Sequence, residues 1–596
     1  MGCDYQSRVD QFNTELKQIK TKSRWISVLR LSAFVLIIFG VYQFWGNPLW
    51  VFGSVGLGGI LFLNLVVWSN RIGQQIIFLE AKLQLNQNEI SAVQDQFDFN
   101  SDGREYIQPT HEYTNDFDVF GPHSFFQYLN RTVSVFGRNQ LAQWLQEPVL
   151  NKEAILQRQD AIRELAAKLE WRQDFLASGM MHQLNEKDQE KMKNWYLQKN
   201  KIGGSTVYRL VLIALPILTI ALFLLALFEV MSWTPFTWWI WVPIAFVGSK
   251  LKAINEVYHQ LSNMVGKLEV LSKLTEKIEE ETFQTELLQS WKAELNTHEL
   301  PASKKIKALR KLLDMFEQRN NILVGIVLNI FLLWDLNLME RMHQWKSNNA
   351  LELEEWLNVI AQFDAMISMS NRSFNDGELI YPEVSDEEFE LNGQELFHPM
   401  LKKEERVGND YAISGRGTIH IVTGANMAGK STFLRTVGMN LVLGMIGMPV
   451  AAKAFIFSPM KVFSSMRTED SLASHTSFFY AELSRLARIS DMLKEGEKRF
   501  VILDEILKGT NSEDKARGSY AFVEKIIGYN MMGIIATHDL SLCKLADQYP
   551  ERIQNKAFEV QFVKDELQFD YKLRTGVCQN MNASFLLKKM GIVDHY

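Results

Sequence analysis

The sequence predicts a multidomain fold in which α-helical membrane hairpins and a helical core and lever region are joined to a C-terminal α/β domain of P-loop type. Three observations carry that prediction. Two pairs of charge-free apolar runs lie within the first 250 residues, a long polar stretch with an apolar stripe at helical spacing follows them, and beyond residue 400 short β-type runs end in a glycine-rich loop, an acidic pair and a histidine. At 596 residues the chain has room for several cores.

The first pair of apolar runs, Leu31 to Trp45 and Leu49 to Trp68, is broken by Gly46-Asn47-Pro48 and edged by Trp25, Trp45, Trp50 and Trp68. Starting the first arm at Trp25 gives each arm the ~20 residues a bilayer requires, with Arg30 placed to snorkel to the headgroups. Residues 1–24 are therefore expected to be a cytoplasmic N-terminus and 25–70 a transmembrane hairpin. Lys17, Lys20, Lys22 and Arg24 before it and Arg71 after it put both ends in the cytoplasm. The second pair falls in 208–249: Leu210 to Phe228, a turn at Ser232-Trp233-Thr234-Pro235, and a shorter return from Phe236 to Val247. Lys199, Lys201 and Arg209 precede it and Lys250 and Lys252 follow, so the orientation repeats. Membrane lipid is thus an expected partner, and an integral position in the inner (cytoplasmic) membrane, with the C-terminal domain in the cytoplasm, the expected location. A further apolar stretch, Ile322 to Trp334, is short and closed by Asp335, which reads as a buried helix.

Residues 71–118 read as a cytoplasmic helix followed by a linker from about residue 99, marked by Asn100-Ser101-Asp102-Gly103 and Pro109. A helical core begins at 119 and runs to 207. It resumes over 250–378 with Leu261, Val265, Leu268, Leu271, Leu274 and Ile278 at the spacing of long helices. Lys304, Lys305, Lys307, Arg310 and Lys311 form a local basic cluster that can meet lipid headgroups or DNA phosphates, or simply face solvent. Composition narrows the classes further. Lys and Arg number 63 against 69 Asp and Glu, a formal −6, so no global basic field marks the chain for nucleic acid. Cys3, Cys543 and Cys578 lack the paired spacings of a disulfide framework or a zinc site. The start Met1-Gly2-Cys3 fits neither a myristoylation nor a lipoprotein pattern, so no lipid anchor is expected.

The chemistry is concentrated in 379–596. Ile419-His420-Ile421-Val422-Thr423 is a β-type run, followed by Gly424-Ala425-Asn426-Met427-Ala428-Gly429-Lys430-Ser431-Thr432 and then a helical pattern. That is G-x-x-x-x-G-K-[ST] in its strand, loop, helix setting. Such a loop curls its amides around phosphate oxygens; Lys430 adds a charge on the β/γ-phosphates and Ser431 a hydroxyl for Mg²⁺, so ATP and Mg²⁺ are the expected cofactors. Arg499-Phe500-Val501-Ile502-Leu503-Asp504-Glu505 is an apolar strand ending in two acids. Asp504 is expected to hold the metal shell, and Glu505 to orient and deprotonate the attacking water. Gly533-Ile534-Ile535-Ala536-Thr537-His538 is another strand, whose histidine can sense or bond the γ-phosphate.

These segments resemble the DNA mismatch repair MutS family. The loop Gly424 to Thr432 is similar to its "GPNMGGKST", Asp504 to Asp514 to its "DEIGRGTSTYD", Ser477 to Leu483 to its "STFMVEM", Ala536-Thr537-His538 to its switch and His398-Pro399 to its "RHP" strand. Leu129-Asn130-Arg131-Thr132, Gly137-Arg138 and Trp144-Leu145 resemble the opening of that family's helical core. The resemblance implies an ATP hydrolase domain of ABC/MutS type. It also implies a homodimer through these domains, in which Ser477 of one protomer reaches the nucleotide of the other and Asn426 steadies the phosphate loop.

The departures matter too. Ala425 and Ala428 replace a proline and a glycine at free positions of the loop pattern, and Leu507-Lys508 replaces a Gly-Arg. The hairpin and linker leave no expected place for the family's mismatch-reading domain. Two functions therefore stand side by side. One is a membrane-anchored MutS-like ATPase coupling ATP binding and hydrolysis to a dimer conformational change on DNA. The other is a membrane-associated ATPase of this type that has lost DNA binding and acts on membrane or protein partners.

Overall fold

The computed structural model describes residues 5–182, 184–198, 205–296, 300–467, 478–508, 510–563 and 566–579; Cys3, Lys199 and Lys201 lie outside them. It is a mostly helical multidomain chain with an α/β domain at its C-terminal end.

Two long helices open the chain, α1 (Tyr5–Gln43) and α2 (Pro48–Val93). The Gly46-Asn47-Pro48 turn separates them, with Asn47 N–H donating to Phe44 O at 2.8 Å and Pro48 opening α2, where its missing N–H costs nothing. The two pack closely because Gly58 faces Ile37, where a Cβ would sit 2.4 Å from Ile37 Cγ1. The arm and the cytoplasmic helix expected on either side of residue 70 are one uninterrupted helix, since no proline breaks the stretch.

The helical core follows with α3 (Phe125–Leu129), α4 (Val135–Gln146), α5 (Lys152–Ala167), α6 (Leu169–Met180) and α7 (Glu186–Leu197). Next come α8 (Thr206–Leu227), α9 (Trp233–Trp239) and α10 (Trp241–Leu261), then α11 (Val265–Glu280), α12 (Glu286–Glu294) and α13 (Ala302–Glu317). Finally α14 (Ile322–Leu332) leads into the long α15 (Trp334–Asn375). Among the described residues, three helices are long and apolar enough to cross a membrane: α1, α2 and α8. The bent pair α14 and α15 makes a fourth only if the two count as one. The return after α8 is split between α9 and the apolar start of α10, in keeping with its short apolar run.

Two expectations are corrected here. Residues 99–118 are not a linker but a packed strap: Tyr113, Phe117 and Asp116 are buried, and Tyr113 O–H donates to Leu145 O at 2.6 Å. Its aromatic side chains need a core, and they find one against α4 and the α/β domain; a phenylalanine ring of the strap lies where a Cβ on Gly438 would be. Within the stretch Ile322 to Trp334, Leu333 is buried but the helix before it is not. Of α14 only Gly325 is enclosed, while Ile322 and Leu323 are 73% and 78% exposed. Its neighbours α8 and α10 are themselves apolar on their outer faces, so no polar shell covers it. As for the basic cluster, Lys305 pairs with Glu352 at 2.6 Å and Arg310 with Glu269 at 3.1 Å.

Helix α15 organises the core. The buried Asp364 accepts from Val133 N, Ser134 N and Ser134 Oγ at 3.1, 2.9 and 2.6 Å, closing the turn before α4; burial raises its pKa to about 7. Near the end of α15, Asn371 and Asn375 donate to Glu89 of α2 at 2.8 and 2.9 Å. Arg131 completes the node with an ion pair to the same carboxylate at 2.6 Å. Arg372 donates to Pro399 O at 2.9 Å, at the entrance to the α/β domain.

That domain contains a four-stranded sheet, ordered β1 (Glu383–Val384), β5 (Ala454–Phe457), β2 (Glu390–Leu396), β3 (Asn409–Ser414), and a six-stranded sheet. The order in the second is β10 (Glu566–Thr575), β9 (Ile553–Val563), β4 (Thr418–Gly424), β8 (Met531–Thr537), β7 (Arg499–Asp504), β6 (Lys461–Ser465). All its neighbours are parallel except β10 and β9. Helices α16 (Lys430–Met445), α17 (Phe478–Lys494), α18 (Ser512–Ile526) and α19 (Leu545–Gln548) complete it. Strands β4 and β8 are buried along their whole length, as central strands of a parallel sheet are.

Candidate active site

The register of the six-stranded sheet levels three strand ends. Thr423 lies opposite Thr537 and Asp504 opposite Ala536, so the loops after β4, β7 and β8 open on one rim. Ligands of parallel sheets bind at such carboxyl ends. A cavity of about 900 Å³ lies there, lined among others by Asn426, Lys430, Ser431, Asp504, Glu505 and His538.

The loop from Gly424 to Gly429 turns back on itself before α16. Gly429 has φ +99°, and a Cβ there would sit 3.0 Å from the Tyr571 ring, so glycine serves both the turn and the approach. Ala425 and Ala428 are buried, which the replacement of proline and glycine by alanine tolerates; Asn426, Met427 and Thr432 are exposed. Lys430 Nζ donates to Gly424 O at 2.7 Å and to Ala425 O at 3.0 Å. Burial lowers its pKa, against the pull of Asp504 and Glu505.

Ser431 Oγ donates to Asp504 Oδ2 at 2.7 Å. One hydroxyl and one carboxylate side by side are hard oxygen donors on the same spot. They suit Mg²⁺, which keeps waters and takes phosphate oxygens to fill its octahedron rather than a protein cage.

Glu505 is held in place by its own backbone and by His538. Its φ is +54°, an uncommon conformation for a side chain of that size, fixed by the Glu505 N–H bond to Ala536 O at 2.8 Å. His538 Nε2 lies 3.0 Å from Glu505 Oε1 and 3.2 Å from Lys430 Nζ. A single ring nitrogen cannot donate to the carboxylate and accept from the ammonium at once. Since Lys430 already has two carbonyl acceptors, Nε2–H donates to Glu505. That bond brings the Glu505 carboxylate down to about 2, with Lys508 adding to the effect. So held, the Glu505 carboxylate is a fixed hydrogen-bond acceptor rather than a base poised near neutrality.

Of the remaining sequence-derived residues, Ser477 and Gly509 lie outside the described residues. Glu482 of the same segment as Ser477 accepts from Lys508 N at 3.1 Å, joining α17 to the loop after β7. His398 lines the cavity as a half-buried imidazole whose pKa is lowered by desolvation to about 4. Sequence reasoning missed Tyr571 and Phe569, stacked rings 6.0 Å apart on β10 that reach the cavity from across the sheet. The only local sign was an aromatic pair inside a polar strand.

The strap ties this rim to the helical core. Asp116 accepts from Ser464 Oγ, Arg467 N and Arg485 Nη2 at 2.6, 2.9 and 2.8 Å, while its main-chain oxygen accepts from Arg435 of α16 at 2.8 Å. Glu112 pairs with Arg499 of β7 at 2.9 Å.

Residues 110–370 match the family model for MutS domain III, and residues 420–589 that for MutS domain V. The chain belongs to the MutS family. Among curated MutS relatives, MutS protein homolog 4 of Mus musculus is 29% identical over 235 residues, covering 38% of this chain and 24% of that protein. The DNA mismatch repair protein MutS of Thermotoga sp. (strain RQ2) is 32% identical over 216 residues, 36% of this chain and 27% of that one. The DNA mismatch repair protein MutS of Ehrlichia chaffeensis (strain ATCC CRL-10679 / Arkansas) is 35% identical over 196 residues, 32% and 24% respectively. The chain thus spans about a quarter of the length of the MutS relatives it matches.

Proposed function

We propose that this MutS-family chain is a membrane-anchored, Mg²⁺-dependent ATPase that couples ATP binding and hydrolysis to a conformational change of a homodimer, acting on DNA. The observation that carries the hydrolase reading is the convergence of Lys430, Ser431, Asp504, Glu505 and His538 from three adjacent strand ends on one cavity. When bound, Mg²⁺ and the nucleotide supply the electrophile and the charge neutralisation at its phosphates. Lys430 exchanges its bonds to Gly424 O and Ala425 O for phosphate oxygens, and Ser431 and Asp504 offer the metal their oxygens. Glu505 orients the attacking water and accepts its proton, and His538 holds Glu505 in line. Tyr571 offers the base a stacking face. The protein-side work is positioning and charge placement, which suits phosphoryl transfer.

Membrane anchoring rests on the three long apolar helices, with the inner membrane as location and the α/β domain in the cytoplasm. A test is single-cysteine labelling near Asn47 and Ser232, expected only from the outer face. The second reading, an engine turned to membrane or protein partners, draws support from Lys305 and Arg310 being spent on internal ion pairs. ATPase assays of the purified chain with DNA across salt separate the two: stimulation that fades with salt marks phosphate contacts, and indifference to DNA overturns the first reading. For the dimer, mixing Ser477→Ala with Lys430→Ala protomers should restore activity above either alone; no rescue in demonstrated mixed dimers rules out a shared site.

A further inference from the structure

We propose that α14 is a re-entrant membrane element, dipping into one leaflet and returning, so that phospholipid acyl chains hold the head of α15. The proposal rests on the membrane reading above and adds a segment which sequence patterning assigned to the protein interior.

From Ile322 to Trp334 there is no charged residue, and the outward side of α14 is bare: Leu323 and Val327 are 78% and 54% exposed. Its inner side is continuous with the apolar group already described, Phe331 packing on Phe223 of α8 at 5.2 Å and on Phe236 of α9 at 6.2 Å. Eleven residues make a helix of roughly 16 Å, about half of a ~30 Å hydrocarbon core, so α14 cannot cross. The chain then bends by 75° into α15.

The backbone groups at both ends of α14 are satisfied within the chain, as hydrocarbon requires. At the start, Asn321 Oδ1 accepts from Val324 N at 3.3 Å and Asn321 O from Gly325 N at 2.7 Å. At the end, Asn337 Nδ2 donates to Leu332 O at 2.7 Å, Asn329 Oδ1 accepts from Asp335 N at 3.0 Å, and Trp334 Nε1 donates to Met315 O at 3.0 Å. The one polar side chain within α14, Asn329, also donates to Gly325 O at 3.0 Å. The charged flanks stay together on the return side: Arg319, stacked on Tyr258 and Phe316, pairs with Asp335 at 3.5 Å.

The test uses the full chain with its three cysteines replaced by serine, in phosphatidylethanolamine–phosphatidylglycerol vesicles. Nitroxide labels go on Leu323→Cys and Val327→Cys, with Leu61→Cys of the first hairpin and Leu351→Cys of α15 as references. The expected result is that Leu323 and Val327 match Leu61, with collisions with oxygen several-fold above those with a water-soluble nickel chelate. Matching Leu351 overturns the proposal, and so does low access to both probes, which marks cover by protein. If Leu61 itself matches Leu351, the membrane reading fails first and takes this proposal with it. A second arm distinguishes a dip from a crossing: Asn320→Cys and Arg341→Cys should react with a membrane-impermeant maleimide from the same side, and reaction from opposite sides overturns re-entry.

Discussion

The rim of the α/β domain and the apolar end of the helical core are built on opposite principles. At the rim, the arrangement hangs on single atoms: His538 Nε2 faces both Glu505 and Lys430, and Ser431 and Asp504 share one 2.7 Å bond. At the apolar end, α8, α9 and α14 meet through rings, Phe223, Phe236 and Phe331, with one side-chain bond between helices, Trp239 Nε1 to Thr219 Oγ1 at 2.9 Å. The first arrangement loses its chemistry when one atom is changed. The second should bear any change of shape that keeps it apolar, and fail where charge is introduced.

The largest expected effect is at the rim. Glu505→Gln keeps the size and ATP binding but should lower single-turnover hydrolysis by about 10²–10⁴-fold, whereas Lys430→Ala should lose binding itself. Equal turnover in Glu505→Gln and the parent would remove Glu505 from the mechanism. Next, Asp116→Ala leaves the Arg485 guanidinium facing a vacated buried site and should cost about 3–5 kcal/mol in chemical denaturation. An unchanged midpoint would mean that the strap does not clamp the rim. At the apolar end, Leu61→Arg should disfavour insertion by about 2.5–3.5 kcal/mol, read as a shift from membrane to aggregate fractions. The smallest effect should be Trp239→Phe, which keeps one aromatic ring and loses the indole N–H bond to Thr219, about 0.5–1.5 kcal/mol by thermal melting.

Acid titration sharpens the contrast. Glu505 is lowered to about 2 from an ordinary carboxylate value, so its stabilising contribution is complete above the unfolded value and is lost only as pH falls through the folded one. Between pH 5 and 8 it stays ionised. Any fall in activity in that window should therefore persist in Glu505→Gln residual turnover; a fall confined to the parent would show that Glu505 is the titrating group.

How much was readable beforehand follows the same division. The loop after β4, the acids after β7 and the histidine after β8 are local patterns, and the sheet register that joins them comes with the strands. Asp116 gave no such sign, because its partners Ser464 and Arg485 lie 348 and 369 residues away. Its neighbours Asn100 to Gly103 and Pro109 have the composition of a linker, while the burial of Tyr113 and Phe117 is decided by surfaces elsewhere in the chain. For Ile322 to Trp334, length and hydropathy fit a core helix as well as a lipid-facing one, and only the neighbours distinguish them. Tyr571 enters the cavity through a bulge between Phe569 and Leu573, a register shift that strand patterning does not reveal.

The Glu89 node also sets an order of events during synthesis. Glu89 and its donor Asn371 are 282 residues apart, and Tyr5 reaches Asn375 across 370. At about 5–20 residues per second, the ribosome needs roughly 15–60 s between making the carboxylate and making the amide that caps it. Through that interval Glu89 has only Arg131 to meet it, while Arg8 and Lys82 of the N-terminal helices can already pair with Glu170 and Asp174 of α6. A nascent chain arrested before residue 371 would therefore expose this seam to proteases, and one arrested far enough beyond residue 375 for both asparagines to have left the ribosome would have closed it.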